Sequence, residues 1–581
     1  MSLGRLNATT IAILCALLQG GTALPALAQS SSSHAAVDLD NDRGPVPESG
    51  APDPLTPPPS NAGAPAAPGG TVPLDEATAP AEADPVVVLV REKLAAFSTK
   101  QSSVDKDDLA AAATYYGEHK SPVWTGKDGL TERGTQAAAE IARAEDWGLE
   151  AKAFDLPVAL SAPVTPDMLA EAEVKLALAV LTYARHARGG RLEPATVSRK
   201  FDQKPVVFEP KTVLQGIGAA AAADAYLRDL HPKHPQFEKL RQALLTLRKE
   251  AGGAAGEAAP GSKAKPAAVT ERQLVVNMER WRWMPPELGA FYVWNSITEQ
   301  ITRVVDNGKV VLSERIVVGK TSSPTPIFSA DMQFVIFHPS WGVPSGIKSH
   351  ELGPKLRNSG SNWFSFKPPA SSVLRAHGLI ASRGGRPVDP DSVDWEKVDI
   401  RSFDFTQPAG QRNVLGIVKF RFPNKHDVYM HDTQERHLFG GAVRAFSHGC
   451  MRVQNPMHLA EVLLAHDKGW TKEQVKASER RGEQVTLSTP IPVHINYFTV
   501  EVVDDGKLVT RSDIYGLDSR VASALEGHTV SVASAPAPRS EASADDGQPV
   551  RPASSSRRKH RSRSSTASSE PYSPFASLFG D

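Results

Sequence analysis

The chain changes texture at residues 251–269 (AGGAAGEAAPGSKAKPAAV), and what lies on either side calls for two different kinds of fold. Before this stretch the apolar residues recur at helical spacing. The clearest helix opens at Thr165-Pro166, carries Leu169, Val174, Leu176, Leu178, Val180 and Leu181, and stops at Gly189-Gly190. Asp84-Pro85 predicts another through Phe97, with Asp84 as N-cap and proline in the first turn. Further helices are predicted over 108–116, 213–230 and 237–247. After the stretch, short β-prone runs follow one another: 273–277, 290–295, 300–305, 310–318, 332–337, 414–420, 427–431 and 494–503. Asn307-Gly308 and Asp505-Gly506 sit between such runs as hairpin turns. One helix, 456–466 with Asn455 as N-cap, interrupts them.

These patterns divide the chain. Residues 84–250 are expected to form an α-helical scaffold domain, 251–269 a linker, and 270–522 a mainly β domain, sandwich or barrel. Residues 29–83 are rich in Pro, Ala and Ser, lack apolar periodicity and read as a disordered tether. The tail, 523–581, reads the same way and carries Arg551, Arg557, Arg558, Lys559, Arg561 and Arg563. Within the β domain, 362–404 is long for a connection between strands. With Trp363, Phe364, Phe366 and Trp395 it reads as a lid, or equally as a plain insertion.

The termini and the cysteines narrow the setting. Residues 1–28 hold Arg5, a short apolar run at 11–18 and Ala26-Leu27-Ala28, the layout of a secretory signal peptide. The run is well short of the ~20 residues a membrane span needs. Of the two cysteines, Cys15 falls in this segment and Cys450 does not. A lone thiol in an exported protein has no internal disulfide partner and is either buried and inert or reactive. Lys plus Arg and Asp plus Glu both number 65, so charge offers no case for a nucleic-acid partner.

The surroundings of Cys450 speak for reactivity. Tyr429-Met430-His431-Asp432-Thr433 precedes Ser447-His448-Gly449-Cys450-Met451-Arg452-Val453. A cysteine nucleophile needs an imidazole to take its proton, donors for an oxyanion, and access to substrate. His431 ends a predicted strand and can serve as the base. Gly449 lets the backbone turn Cys450 outward and aim successive amides at one point. Arg452 sets a cation near the sulfur, where it can lower the thiol pKa or hold a substrate carboxylate, unless a structural ion pair takes it. His448 reads as a residue that packs behind the turn, and Ser447 as a hydroxyl that ties it. Trp281 and Trp283 read as core residues of strands, while Trp341 is open to substrate or core. His426, His431, His437, His448 and Cys450 lie close in sequence, yet without the spacing of a zinc site, so no metal is expected.

The run His431…Ser447-His448-Gly449-Cys450-Met451-Arg452 resembles the catalytic motif of the L,D-transpeptidases. Trp281-Arg282-Trp283, Gly319-Lys320, Pro324-Thr325-Pro326, the block 339–344, Gln407-Pro408-Ala409-Gly410, Asn413-Val414-Leu415-Gly416 and Asp513-Ile514-Tyr515 agree, and resemble the large periplasmic members with a helical scaffold. The resemblance covers 271–522 strongly and 86–250 loosely; no separate peptidoglycan-binding insert is seen. It implies a cofactor-free cysteine acyltransferase acting on peptidoglycan stem peptides in the periplasm. It also implies Cys450 as nucleophile, His431 as base, Gly449 with Cys450 as oxyanion hole, and Ser447, Arg452 and Trp341 around the substrate. The product implied is a 3→3 cross-link between diaminopimelate residues, with D-Ala released. A hydrolase, or an enzyme attaching proteins to the wall, would use the same thioester with another acceptor.

Overall fold

The computed structural model describes residues 82–97, 104–253, 269–360 and 367–530, all within the unit Thr78–Asp581. The expectations for 1–81, 254–268 and 531–581, and those for Trp363, Phe364 and Phe366, lie outside the described residues.

The first half is helical because its termini are well capped. In Pro85–Ala96 the Asp84 carboxylate accepts the Val86 amide, and in Pro166–Gly189 the Thr165 hydroxyl accepts that of Met168. Lys106–Glu118 and Glu132–Ala142 start at Asp105 and Thr131 in the same way. The predicted helix over 213–230 is in fact two, Pro210–Ala219 and Ala223–Asp229. Gly216 and Gly218 weaken the first, and Arg133 takes the carbonyl of Ala220 at the break. Pro166–Gly189 runs through the middle of the bundle. Its Glu173 is fully buried and accepts the amides of Val123, Trp124 and Thr125 and the hydroxyls of Thr125 and Tyr116. Those bonds are what allow a carboxylate there.

The run 273–277 is not a strand. Glu271–Arg282 is a helix, opened by a capping box between Thr270 and Gln273. Short apolar runs do not distinguish a strand from a buried helix, and here the cap decides. Trp281 and Trp283 are buried as expected, but on and just after this helix rather than on strands. Leu274, Met278, Trp281 and Met284 complete the core of the helical half, joined by Phe498, Val500 and Val502 from the C-terminal part. Arg282, fully buried, donates to the carbonyls of Ala187 and Trp147. The helical and β halves therefore share a core rather than hanging on a tether.

Eight strands close a barrel: β1 (Phe291–Ser296), β2 (Ile301–Asp306), β3 (Lys309–Gly319), β4 (Ser329–Phe337), β5 (Val418–Arg421), β6 (Met430–His431), β7 (Met451–Val453) and β8 (Gln484–Asn496). Their order is β3-β7-β6-β5-β4-β8-β1-β2, and β2 returns to β3. Closure removes the exposed edges an open sheet would present. Asn307 and Gly308, both at positive φ, turn β2 into β3 as the sequence indicates. Pro456–Lys468 follows β7; Asn455 stands at its N-cap position but gives its amide to Glu314 instead of capping.

Residues 341–360 and 367–416 form a small subdomain beside the barrel. Its sheet pairs Trp341–Gly342 with Asp404–Gln407, then Ile380–Arg383, then Arg386–Pro387. It has its own core, including Leu352, Leu374, Trp395, Phe403 and Phe405, and that core packs on Tyr429 and Cys450. The described part of the predicted lid segment, 367–404, thus belongs to a larger folded body.

Candidate active site

Strand alternation sorts the residues of β5, β6 and β7 onto two faces. Phe420, Met430 and Met451 are paired in register and fully buried in the barrel core. By the same register Lys419, His431 and Arg452 line up on the opposite face. Tyr429 and Cys450, two residues before His431 and Arg452, fall on that face too. The chemistry of the site is therefore written on the outside of the barrel wall, under the 341–416 subdomain.

A cavity of about 170 Å³ opens there. Cys450, His431, His448, Ser447, Arg452 and Trp341 all line it, with Tyr429 and the loop His426-Asp427-Val428. Cys450 is half-buried and its thiol points to the Asp427 carbonyl at 3.8 Å. Tyr429 reaches the sulfur with both its backbone amide and its hydroxyl. Burial pushes the thiol up to about 11, against those donors and the nearby Lys419 ammonium.

His431 is buried and its Nδ1 donates to the Asp432 carbonyl, which leaves Nε2 free to accept. Burial, with Arg452 and Lys419 adding to it, lowers the imidazole to about 3. At neutral pH the resting pair is accordingly thiol and neutral imidazole.

Gly449 takes φ +119°, a conformation side chains disfavour, and so turns the chain into Cys450. Its amide is not free for an oxyanion, because it donates to Ser447 Oγ at 3.1 Å. Ser447 Oγ in turn donates to the Cys450 carbonyl at 2.6 Å, so this hydroxyl ties the turn instead of facing substrate. Behind the turn Thr325 Oγ donates to the Gly449 carbonyl at 2.8 Å, and Tyr515 bonds both Gly319 and Thr325. The segments around 319, 325 and 515 thus converge on one task. His448 Nε2 lies 2.6 Å from Glu351, which belongs to the capping subdomain. Arg452 is buried and paired with Glu435, so it is not a free carboxylate receptor, and the cation with the stronger pull on the thiol is Lys419. Trp341 is core as well as cavity wall, hydrogen-bonding the Tyr429 side chain. Among the described residues no cluster of His, Cys, Asp or Glu fits a metal ion.

Residues 290–495 match the family profile of the L,D-transpeptidase catalytic domain, and 110–244 that of a scaffold domain. The chain carries an L,D-transpeptidase catalytic domain. A curated Haemophilus influenzae protein, provisionally named an L,D-transpeptidase, is 31% identical over 258 residues, 43% of this chain and 49% of the relative. The chain thus matches about half of that relative's length. Among solved structures, a Mycobacterium smegmatis L,D-transpeptidase aligns at 12% identity over 36% of this chain and 58% of that one, with TM-score 0.17. L,D-transpeptidase 3 of Mycobacterium tuberculosis aligns at 12% identity over 36% and 61%, also at 0.17. Scores this low add nothing to the family match.

The transpeptidase domain holds three further residues at its site, Tyr429, Lys419 and Glu351. Tyr429 was legible, since it lies two positions before His431 on a strand and so shares its face. Lys419 required the β5–β6 register. Glu351 arrives from a separate subdomain, and nothing local announces it.

Proposed function

We propose that the protein is a cysteine acyltransferase that exchanges one peptide bond for another in peptidoglycan stem peptides, forming 3→3 cross-links outside the cytoplasm. The observation that carries this reading is that Cys450 and His431 line one capped cavity of a transpeptidase domain. His431 Nε2 takes the thiol proton as sulfur attacks the carbonyl between diaminopimelate and terminal D-Ala. Proton and electron pair move together, because neither separate ion is favoured in this buried site. The Cys450 amide and the Tyr429 hydroxyl stabilise the oxyanion, the Gly449 amide being already engaged. His431 then protonates the departing D-Ala amine and a thioester remains. An acceptor diaminopimelate amine gives its proton to His431 and displaces the thiol. One amide is broken and one formed, so no cofactor or external energy enters. Among the described residues no helix is long and apolar enough to cross a membrane.

The test is exchange of labelled D-Ala into a tetrapeptide donor, with mass analysis of dimers when an acceptor is supplied. The wild type should exchange and form 3→3 dimers; Cys450→Ala should do neither. Release of D-Ala with water as the sole acceptor would make it a hydrolase instead. A folded protein that neither exchanges D-Ala nor is acylated at Cys450 by a carbapenem would end the reading.

A further inference from the structure

We propose that the scaffold domain positions the reactive cysteine, and that Asp202 is the residue through which it does so. The inference rests on the reading of Cys450 as nucleophile. Asp202 lies in the scaffold half, after the short helix Pro194–Val197. Its carboxylate accepts from His426 Nε2 at 2.8 Å and pairs with Lys425. Burial alone would raise the Asp202 carboxyl, but these two partners outweigh it and hold it below its usual range.

What Asp202 grips is the loop that faces the sulfur. His426, Asp427 and Val428 form one wall of the Cys450 cavity, and the Asp427 carbonyl accepts the thiol. Asp427 sits at φ +52°, in the left-handed region, which is uncommon outside glycine although aspartate tolerates it better than most residues. Asn424 fixes the loop from within, its Oδ1 accepting the amides of His426 and Val428. From outside the barrel domain, Asp202 anchors it.

The same scaffold segment also reaches the far side of the cysteine turn. Phe201 forms a parallel bridge with Ile327, with Asp202 N–H donating to the Ile327 carbonyl at 2.9 Å and Ile327 N–H to that of Lys200 at 2.8 Å. Ile327 follows Thr325, whose hydroxyl holds the Gly449 carbonyl. Residues 200–202 therefore brace both strips of backbone that flank Cys450. The scaffold does not touch the sulfur, so Asp202 acts by position. Releasing it should loosen the Asp427 carbonyl from the thiol, which makes the sulfur easier to reach and less well aimed.

The experiment uses the full-length protein and two readouts, alkylation of Cys450 by iodoacetamide at fixed pH and D-Ala exchange. Asp202→Ala should alkylate at least threefold faster than wild type, while kcat for exchange falls about tenfold and KM stays within twofold. Asp202→Glu, which keeps the charge, should restore both rates to within about threefold. Combining Asp202→Ala with His426→Ala should add little to either single change, because both break one contact. If Asp202→Ala does not fold, His426→Ala alone must show the same opposed changes. A folded Asp202→Ala with both rates unchanged, or a double variant whose losses multiply, overturns the proposal. If alkylation responds while even the wild type exchanges no D-Ala, the proposed reaction fails and the positioning role stands.

Discussion

His448 and Glu351 meet at 2.6 Å across the seam between the cysteine turn and the capping subdomain. Glu351 lies in Lys348–Leu352, a single wide helical turn of the π type, a distortion often found beside functional sites. Both side chains are mostly shielded, and the cavity wall passes through His448. The pair holds the cap on the very turn that carries the thiol.

Glu351→Gln removes the charge and keeps the shape. A pair of this kind contributes about 1 kcal/mol, or roughly fivefold in an equilibrium constant. The donor KM for D-Ala exchange should rise by about that factor, with kcat less affected. An unchanged KM would mean the cap is held by its apolar contacts alone.

Lys419 stands opposite His431, and its ammonium lies 3.7 Å from the Tyr429 ring centroid. It favours the thiolate electrostatically while disfavouring a protonated His431. Lys419→Met should therefore raise the thiol further above its ordinary range and lift the imidazole. Alkylation of Cys450 at pH 8 should slow by several-fold, with the profile displaced toward higher pH. Faster alkylation would show that access, not charge, governs the thiol.

Arg452 and Glu435 are paired beside the site, with Arg452 side-chain exposure of only 4%. Glu435→Ala strands a buried guanidinium, and loss of one partner in such a pair costs about 3 kcal/mol. Urea unfolding should show that loss as a lower midpoint. Replacing both residues by apolar ones of similar size should recover much of it.

Acid should unfold this protein through its histidines. His231 is held well below the ordinary 6.5, His377 at about 4 and His431 at about 3, in each case chiefly by burial. At pH 5 they are neutral when folded, whereas the unfolded chain protonates them. The unfolded state then binds more protons, so this stability is present above 6.5 and is lost as pH falls toward 4. Each histidine adds about 1.4 kcal/mol per pH unit in that window. Chemical denaturation at pH 7, 6 and 5 should show a steep monotonic fall; a flat profile would mean these rings are solvated.

The sequence made the halves, the cysteine turn and its histidine legible because each is a local signal. Thr165-Pro166 starts a helix, Asn307-Gly308 makes a turn, and glycine before Cys450 permits φ +119°. Relations across the sheet were not legible. Ser447, Gly449 and Arg452 lie around the sulfur, yet their polar groups are taken by one another or by Glu435. Which donors remain available depends on long-range pairing, and Lys419 enters only through the β5–β6 register. The helix at 271–282 was missed because its apolar run is short and its decisive feature is a cap.

Gly416 gives the sharpest link between packing and chemistry. It sits at φ +60°, and a Cβ there would lie 2.1 Å from Asp432 Oδ2. That carboxylate also accepts the Ile417 and Thr433 amides, at 2.9 and 2.7 Å, and the Asp432 carbonyl takes His431 Nδ1. Gly416→Ala must therefore strain its own backbone, at about 1–2 kcal/mol, and push Asp432 aside. Moving Asp432 turns the His431 ring and spoils the tautomer that leaves Nε2 ready to accept. Exchange of D-Ala should drop at least tenfold in kcat while the urea midpoint falls by the equivalent of about 2 kcal/mol or more. Loss of stability with full kcat would separate Asp432 from the base it is argued to hold.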